Sequence, residues 1–430
     1  MSEVVEYSMP GMWVREQSIR VPLDWWDPES AEISLFVREL VDPDRKRDEL
    51  PLLTYLQGGP GGSNPRPVEV SGWIREALQD YRLVLVDQRG TGRSTPVDAH
   101  TVAGLGDGAR GADYLSRFRA DSIVRDLEHV RAALYGGARW ATLAQSYGGW
   151  LTLAYLSHAP AAIAASYVCG GIPGTPPDAA EVYRRTFTRV EQKNAEFARR
   201  YPQDVAIVSA IADCLADDDV RLPDGDRLTV QRFQSLGLDF GMKPGFERMH
   251  WLLEDAITPD GRLSEPFLAQ VLARTSSAGN PLFWTLQESI YGDERSGATN
   301  WAAQRERERR PQFDAERRPL LFTGEMAFPW MFDEVRLLRG FRDAVHELAS
   351  REEWSALYDF DALAANEVPV AAAVYFDDMY VDAQLQLDTL TRVGNSTSWV
   401  TNEFEHDGIG SGRTFTRLRE LVRDRGGERR

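Results

Sequence analysis

Hydrophobic and polar residues alternate across positions 11–40, in MWVREQSIRVPL and AEISLFVREL, around turn-forming residues. A period of two predicts two antiparallel strands opening a sheet. Beyond residue 50 the pattern changes to short apolar runs, PLLTYL, YRLVLVD, RWATLA and AIAASYVCGG. Stretches between them, such as DSIVRDLEHVRAALYG, space their apolar residues three and four apart, as an amphipathic helix does. Strand, helix, strand requires crossover connections, so the sheet is expected to be mostly parallel with helices on both faces, an α/β class.

The rhythm stops near Gly170. From 173 to 350 the chain reads as helical and charge-rich, in EVYRRTFTRVEQKNAEFARRY, PFLAQVLARTS and VRLLRGFRDAVHELAS, broken by the aromatic clusters PLFWTLQESIY and FPWMF. Sheet patterning returns with VPVAAAVYF, a helix around VDAQLQLDTLTRV, then STSWVTNEF and a last helix in TFTRLRELVRD. The expected organisation is therefore a discontinuous core of residues 1–172 and 351–430, with a helical cap inserted at 173–350. No internal repeat or low-complexity linker is present.

Composition narrows the function classes. The chain has 430 residues, 43% hydrophobic and 27% charged, enough for a large buried core. Its formal net charge of −17 repels phosphate backbones and anionic lipid heads, so neither nucleic acid nor a membrane is an expected partner. No stretch approaches the roughly 20 apolar residues of a membrane helix, and MSEVVEYSMPGMWVREQ lacks the form of a secretory leader, so a cytoplasmic location is expected. Cys169 and Cys214, far apart and outside CxxC spacing, support neither a disulfide framework nor a zinc site, and read as buried free thiols.

The strongest chemical signal is Ala144-Gln145-Ser146-Tyr147-Gly148-Gly149, between an apolar strand and a helical stretch. A sharp strand-to-helix turn lifts a serine hydroxyl above a sheet, as a nucleophile elbow does, with Ala144 in place of the first glycine of G-x-S-x-G. Gln57-Gly58-Gly59-Pro60-Gly61-Gly62 follows the strand PLLTYL. A glycine-rich bend there can turn amides towards a developing oxyanion, and the amides of Gly59 and Tyr147 are the candidates. No Lys-Ser/Thr follows, as a phosphate-binding loop would need.

Only six histidines occur, at 100, 129, 158, 250, 346 and 406. His129, His158 and His346 fall inside helical patterns. His406 lies in a loop just past STSWVTNEF, where a base should stand in the chain order nucleophile, acid, base. The acid should follow VPVAAAVYF, where Asp377 and Asp378 stand; Asp378 is preferred, with Asp377 as the reserve, and Asp382 reads as a helix cap.

Together these pieces resemble the proline iminopeptidases (prolyl aminopeptidases) of the α/β-hydrolase fold. The family's H-G-G-P-G is matched at Gln57–Gly61 with Gln57 for His, D-Q-R-G-x-G-x-S in full at Asp87–Ser94, and G-Q-S-x-G-G at 144–149 apart from Ala144. The similarity continues through YLSHAP and CGGIPG and resumes at YFDDMYVD and EHDG. It implies an α/β-hydrolase core with a cap, and it assigns Asp378 the acid position, with Asp382 where the family has proline. Asp87 and Arg89 are then expected to support the oxyanion loop.

An exopeptidase must recognise a free amino terminus, which a pocket carboxylate does by ion pairing. Glu288 in FWTLQESIYGD and Glu325 in FTGEMAFPWMF are the candidates, in an aromatic setting that includes Phe283 and Trp330 and in keeping with the family's use of cap glutamates. The expected activity is release of an N-terminal proline, or another small apolar residue, from short peptides or amides by Ser146, His406 and Asp378, with no metal or cofactor required. An esterase or amidase acting on an aminoacyl ester, amide or secondary metabolite shares the same triad and stays open. So does, more remotely, a hydrolase-fold protein that binds a small ligand without turnover. The sequence does not bear on oligomeric state.

Overall fold

In the computed structural model, which describes residues 3–427, the alternating segment forms β2 (Met12–Pro22) and β3 (Glu32–Val41), paired antiparallel. A preceding strand, β1 (Val5–Met9), adds to β2. Its residues are mostly exposed, and its short alternation, VEYSM, was not anticipated as a strand from the sequence. The apolar runs become β4 (Leu52–Leu56), β5 (Arg82–Val86), β6 (Trp140–Gln145) and β7 (Ile163–Cys169). The sheet is completed by β8 (Val370–Tyr375) and β9 (Ser396–Thr401), in the order β1-β2-β3-β5-β4-β6-β7-β8-β9. From β5 to β9 all neighbours run parallel, and β3 joins β5 antiparallel.

Side chains alternate across the sheet and feed two separate cores. Leu53, Tyr55, Leu83, Leu85, Leu143 and Tyr167 face the helices Gly72–Leu78 and Arg413–Asp424. Leu56, Val84, Val86, Trp140 and Val168 face the helices Ala120–Tyr135 and Gly148–His158. With both faces covered, the strands can be apolar nearly throughout, which is why the sequence shows them as runs. Cys169 is buried, whereas Cys214 is only partly so.

Between β7 and β8 the described chain is helical. Its longest element, Ala179–Arg200, starts where the Asp178 side chain accepts from the Glu181 amide and ends with Arg199 and Arg200 in its last turn, each charge favourable to the helix dipole. Asp204–Asp217, Gly245–Glu254, Glu265–Thr275 and Arg342–Ser350 follow, and the aromatic clusters become the short helices Leu282–Leu286 and Met331–Glu334.

Because the strands from β5 to β9 share one direction, the loops after β4, β5, β6, β7, β8 and β9 all leave the same edge of the sheet. That edge carries the segments 57–62, 87–94 and 144–149, CGGIPG, Asp378 and His406.

One expectation needs correction. Asp87, after β5, braces the loop beyond β4: it accepts from the Asn64 amide (3.0 Å) and from Arg66 Nη1 (2.9 Å) there, and from the Arg93 amide (2.9 Å). Arg89 does not touch that loop. Its guanidinium turns to the other side, pairing with Asp126 through Nε (2.7 Å) and Nη2 (2.6 Å) and donating to the carbonyls of Leu23, Pro22 and Arg117. Both side chains are buried, so removal of the carboxylate strands a desolvated cation. Asp126→Ala is expected to lower unfolding free energy by about 3–5 kcal/mol in urea titration; a loss under about 1 kcal/mol would mean that the carbonyls alone satisfy Arg89.

Candidate active site

At the end of β6 the chain turns sharply: Ser146 has φ 52, and the helix Gly148–His158 begins two residues later. The turn exists because neighbouring backbones come into contact. A Cβ on Gly149 would overlap the carbonyl oxygen of Gly171, and one on Gly148 would overlap that of Leu56. The same packing explains Ala144. Its methyl would lie 3.2 Å from a Cβ at 148, so the extra carbon at 144 fits because 148 has none. The Ser146 amide donates to Cys169 O (3.1 Å) and its carbonyl accepts from Gly149 (2.8 Å), fixing the residue with a half-buried side chain.

The glycine-rich bend after β4 lies directly against this turn, with the Gly58 Cβ position 3.1 Å from Ser146 Cβ. The amides of Gly59 and Tyr147 donate to no protein acceptor among the described residues. Free, fixed N–H groups on either side of a serine are what an oxyanion requires. From above, Asn280 Nδ2 donates to Pro60 O (3.2 Å) and Leu282 packs on Gly61, so the inserted helical segment sits on the bend.

His406 faces the elbow across β7. A Cβ on Gly170 would lie 3.3 Å from His406 Nδ1, and one on the next residue, Gly171, would overlap the carbonyl oxygen of Ser146. Gln145 Nε2 also donates to His406 O (3.2 Å). Nδ1 of His406 lies 2.7 Å from Asp378 Oδ2, and Asp378 Oδ1 accepts from the amides of Tyr380 (2.8 Å) and Val381 (3.1 Å). Nε2 is buried and has no partner. Burial alone would lower the imidazole's pKa, but the charge and hydrogen bond of Asp378, with Glu325 and Asp407 behind, hold it above the ordinary value. Asp377, one residue earlier, points away and pairs with Arg189 (3.4 Å) at the surface.

The two cap glutamates differ. Glu325 accepts from Gln287 Nε2 (2.7 Å) and lies in the field of His406 and Asp378; burial pushes its pKa up to about 7. Glu288 is also raised to about 7 by burial, against the pull of two amides. Those amides, of Ala302 (3.1 Å) and Ala303 (3.0 Å), begin the helix Ala302–Glu308, so the Glu288 carboxylate caps it. Tyr183 is buried in the field of both carboxylates, its phenol pKa raised first by burial and then by Glu288, Tyr291 and Glu325. Trp330 lines a cavity of about 30 Å³ with Trp284, Leu236 and Arg232. Glu288 lines a neighbouring cavity of about 20 Å³, also bounded by Trp284. Trp284 is thus the aromatic shared by both cavities, while Phe283 lines neither and meets Trp284 edge to face. Trp284 and Gln287 were missed in the sequence although both lie in FWTLQES; an i, i+3 spacing from Trp284 to Gln287 was the available signal.

No group of His, Cys, Asp or Glu among the described residues is arranged to hold a metal ion, and no described helix is long and apolar enough to cross a membrane.

A family model described as alpha/beta hydrolase fold matches residues 51–213. The chain is 46% identical over 411 residues to a proline iminopeptidase of Aeromonas sobria, covering 95% of this chain and 96% of that one. It is 34% identical over 410 residues to proline iminopeptidase aneH of Aspergillus aculeatus, covering 92% and 90%.

A base must be neutral to accept a proton, so a raised pKa at His406 moves the acid limb of reactivity upward. Labelling of Ser146 by a small neutral fluorophosphonate should rise with pH with a midpoint above about 6.5, the ordinary histidine value. Glu325→Gln should bring that midpoint down, because the Glu325 charge favours the imidazolium. A midpoint unmoved by the substitution would place Glu325 outside the electrostatic reach of His406.

Proposed function

The chain belongs to the proline iminopeptidase family, serine aminopeptidases on the α/β-hydrolase fold, and from that premise we propose how its own residues remove an N-terminal proline or another small apolar residue from a short peptide or amide. Ser146 attacks the carbonyl carbon of the first residue while its proton passes to Nε2 of His406. Asp378, bound to Nδ1, keeps the ring in the tautomer whose Nε2 accepts, and stabilises the imidazolium. The oxyanion accepts from the amides of Gly59 and Tyr147. His406 then protonates the leaving nitrogen, the shortened peptide departs, and water, deprotonated by the same histidine, releases the amino acid from Ser146.

Recognition of a free amine falls chiefly to Glu325. The observation that carries this reading is a recessed carboxylate, poised near neutrality by burial, in the field of the same histidine that serves as base. A substrate ammonium there ionises Glu325 and pairs with it, and Gln287 orients the carboxylate. Glu288, saturated by two amides of the helix it caps, supports the same electrostatic field from behind. The inserted segment 173–350 then acts as the selecting cap over a core of 1–172 and 351–430. The resulting partners are small substrates with a free amine.

Ser146→Ala and His406→Ala are each expected to lower kcat by on the order of 10⁴ or more, as members of one unit. Asp378→Asn should be strongly damaging and Asp377→Asn nearly neutral, since only the former meets the imidazole.

Glu325→Gln should reduce kcat/KM for prolyl anilides by about 10- to 100-fold, the worth of a hydrogen bond to a charged group, and Glu288→Gln by less. Steady-state kinetics on prolyl and N-acetylprolyl anilides check this. Equal cleavage of both would replace the aminopeptidase by an esterase or general amidase.

A further inference from the structure

The His406 loop is gripped from the inserted helical segment as well as from the core. The His406 amide donates to Gly241 O (2.8 Å), at the end of the 3-10 segment Ser235–Gly241. Tyr380, whose ring stands edge-on to the imidazole at 4.9 Å between centroids, donates its hydroxyl to Leu238 O in that same segment. The third grip is ionic. Lys193 Nζ, on the long helix Ala179–Arg200, lies 2.6 Å from Oε2 of Glu405, the residue before His406. The two side chains are 4% and 15% exposed. A lysine this buried is uncommon unless paired, and this one is paired to the neighbour of the base.

The next residue on the helix adds a connection. Asn194 accepts from the Phe322 amide (2.8 Å) and donates to Phe322 O (2.9 Å), three residues before Glu325. Consecutive side chains of one helix therefore hold the loop of the base and the segment that leads to the amine-binding carboxylate.

We propose that Lys193 is a positioning residue, which through Glu405 fixes the His406 loop and so sets the distance between the general base and the substrate's anchored amine. The proposal rests on His406 acting as that base. Lys193 touches neither substrate nor reacting atoms; its effect is transmitted through one ion pair and one peptide bond. A general base displaced by about 1 Å loses much of its rate, while the amine site, held separately by Asn194, continues to bind.

Lys193→Met removes the cation with little change in length, Glu405→Gln removes the anion, and the double variant removes both. In Lys193→Met, kcat for a prolyl anilide per titrated active site should fall on the order of 10- to 100-fold with KM within about twofold, and Ser146 labelling by a neutral fluorophosphonate should slow in parallel. Lys193→Arg, keeping the charge, should recover part of both rates. The double variant discriminates a positioning role from a purely structural one. With neither charge left buried alone, its thermal midpoint should return towards wild type while kcat and labelling stay low. If the double variant regains full kcat, or if Lys193→Met loses thermal stability alone and labels at the wild-type rate, the pair is structural and the proposal is wrong. Because labelling requires no amine, slowed labelling in an enzyme that ignores prolyl substrates would leave this inference standing while removing the aminopeptidase reading.

Discussion

The hydrogen bond between His406 Nδ1 and Asp378 Oδ2 is the interaction on which the rest of the site depends. Both groups are buried, and a buried carboxylate is tolerable only when its lone pairs are used. Asp378 meets that condition with one oxygen on the imidazole and the other on two amides of the turn that follows β8. The turn is thereby locked, the imidazole has one orientation, and its remaining nitrogen is the one without a partner. The unmatched nitrogen follows directly from the matched one: a ring that gives its only proton to Asp378 has an acceptor to offer on the other side.

The inserted helices enter this arrangement as structural members. They meet the core at the oxyanion bend through Asn280 and Leu282, at the base through Gly241 and Leu238, and at its neighbour through Lys193. The site is thus closed between the loops of the sheet and the inserted helices, and burial there pushes Glu325 towards neutrality. Bonded to the His406 main chain, the inserted helices cannot move far on that side without disturbing the imidazole.

The core was legible because its signals are local. Period-two alternation, apolar runs and a serine between a strand and a glycine pair are written within a dozen residues each, and β2 to β9 and the Ser146 turn follow from them. β1 was passed over although VEYSM alternates, because five residues are a short signal and an exposed edge strand adds little buried apolar area to it. Glu288 and Glu325 were legible as carboxylates near aromatic residues, but their different partners were not. Glu288 becomes a helix cap only because Ala302, fourteen positions later, starts a helix against it. Trp284 rather than Phe283 lines the cavities, a distinction of one residue that depends on which way a five-residue helix faces. Lys193 left no trace: in a helix dense with charges, one lysine is ordinary until the fold brings Glu405, 212 positions away, against it. Arg89 was read towards the wrong neighbour for the same reason, its partner Asp126 lying 37 positions on.

The departures from the family motifs follow from what each position does. Ala144 replaces a glycine, and its methyl is accommodated because Gly148, retained from the motif, has no Cβ to meet it. Gln57 replaces a histidine, yet the bend is braced by main-chain contacts that any side chain permits: Gln57 O accepts from Gln88 Nε2 (3.0 Å), and the Gln57 side chain lies along Gly62. Asp382 stands where the family has proline. Proline there would restrict the chain entering the helix Ala383–Leu390; the aspartate instead caps it, accepting from the Leu385 amide (3.0 Å), and in addition pairs with Arg185 (3.2 Å) of the long cap helix. That pair sits on the helix that also carries Lys193, so the substitution replaces local stiffness after Asp378 with another tie between the loop of the acid and the element that holds the loop of the base. Asp378 and His406 are then both tied to one helix, through Asp382 four residues beyond the former and Glu405 one residue before the latter, so their spacing is set from the inserted segment as well as from the sheet.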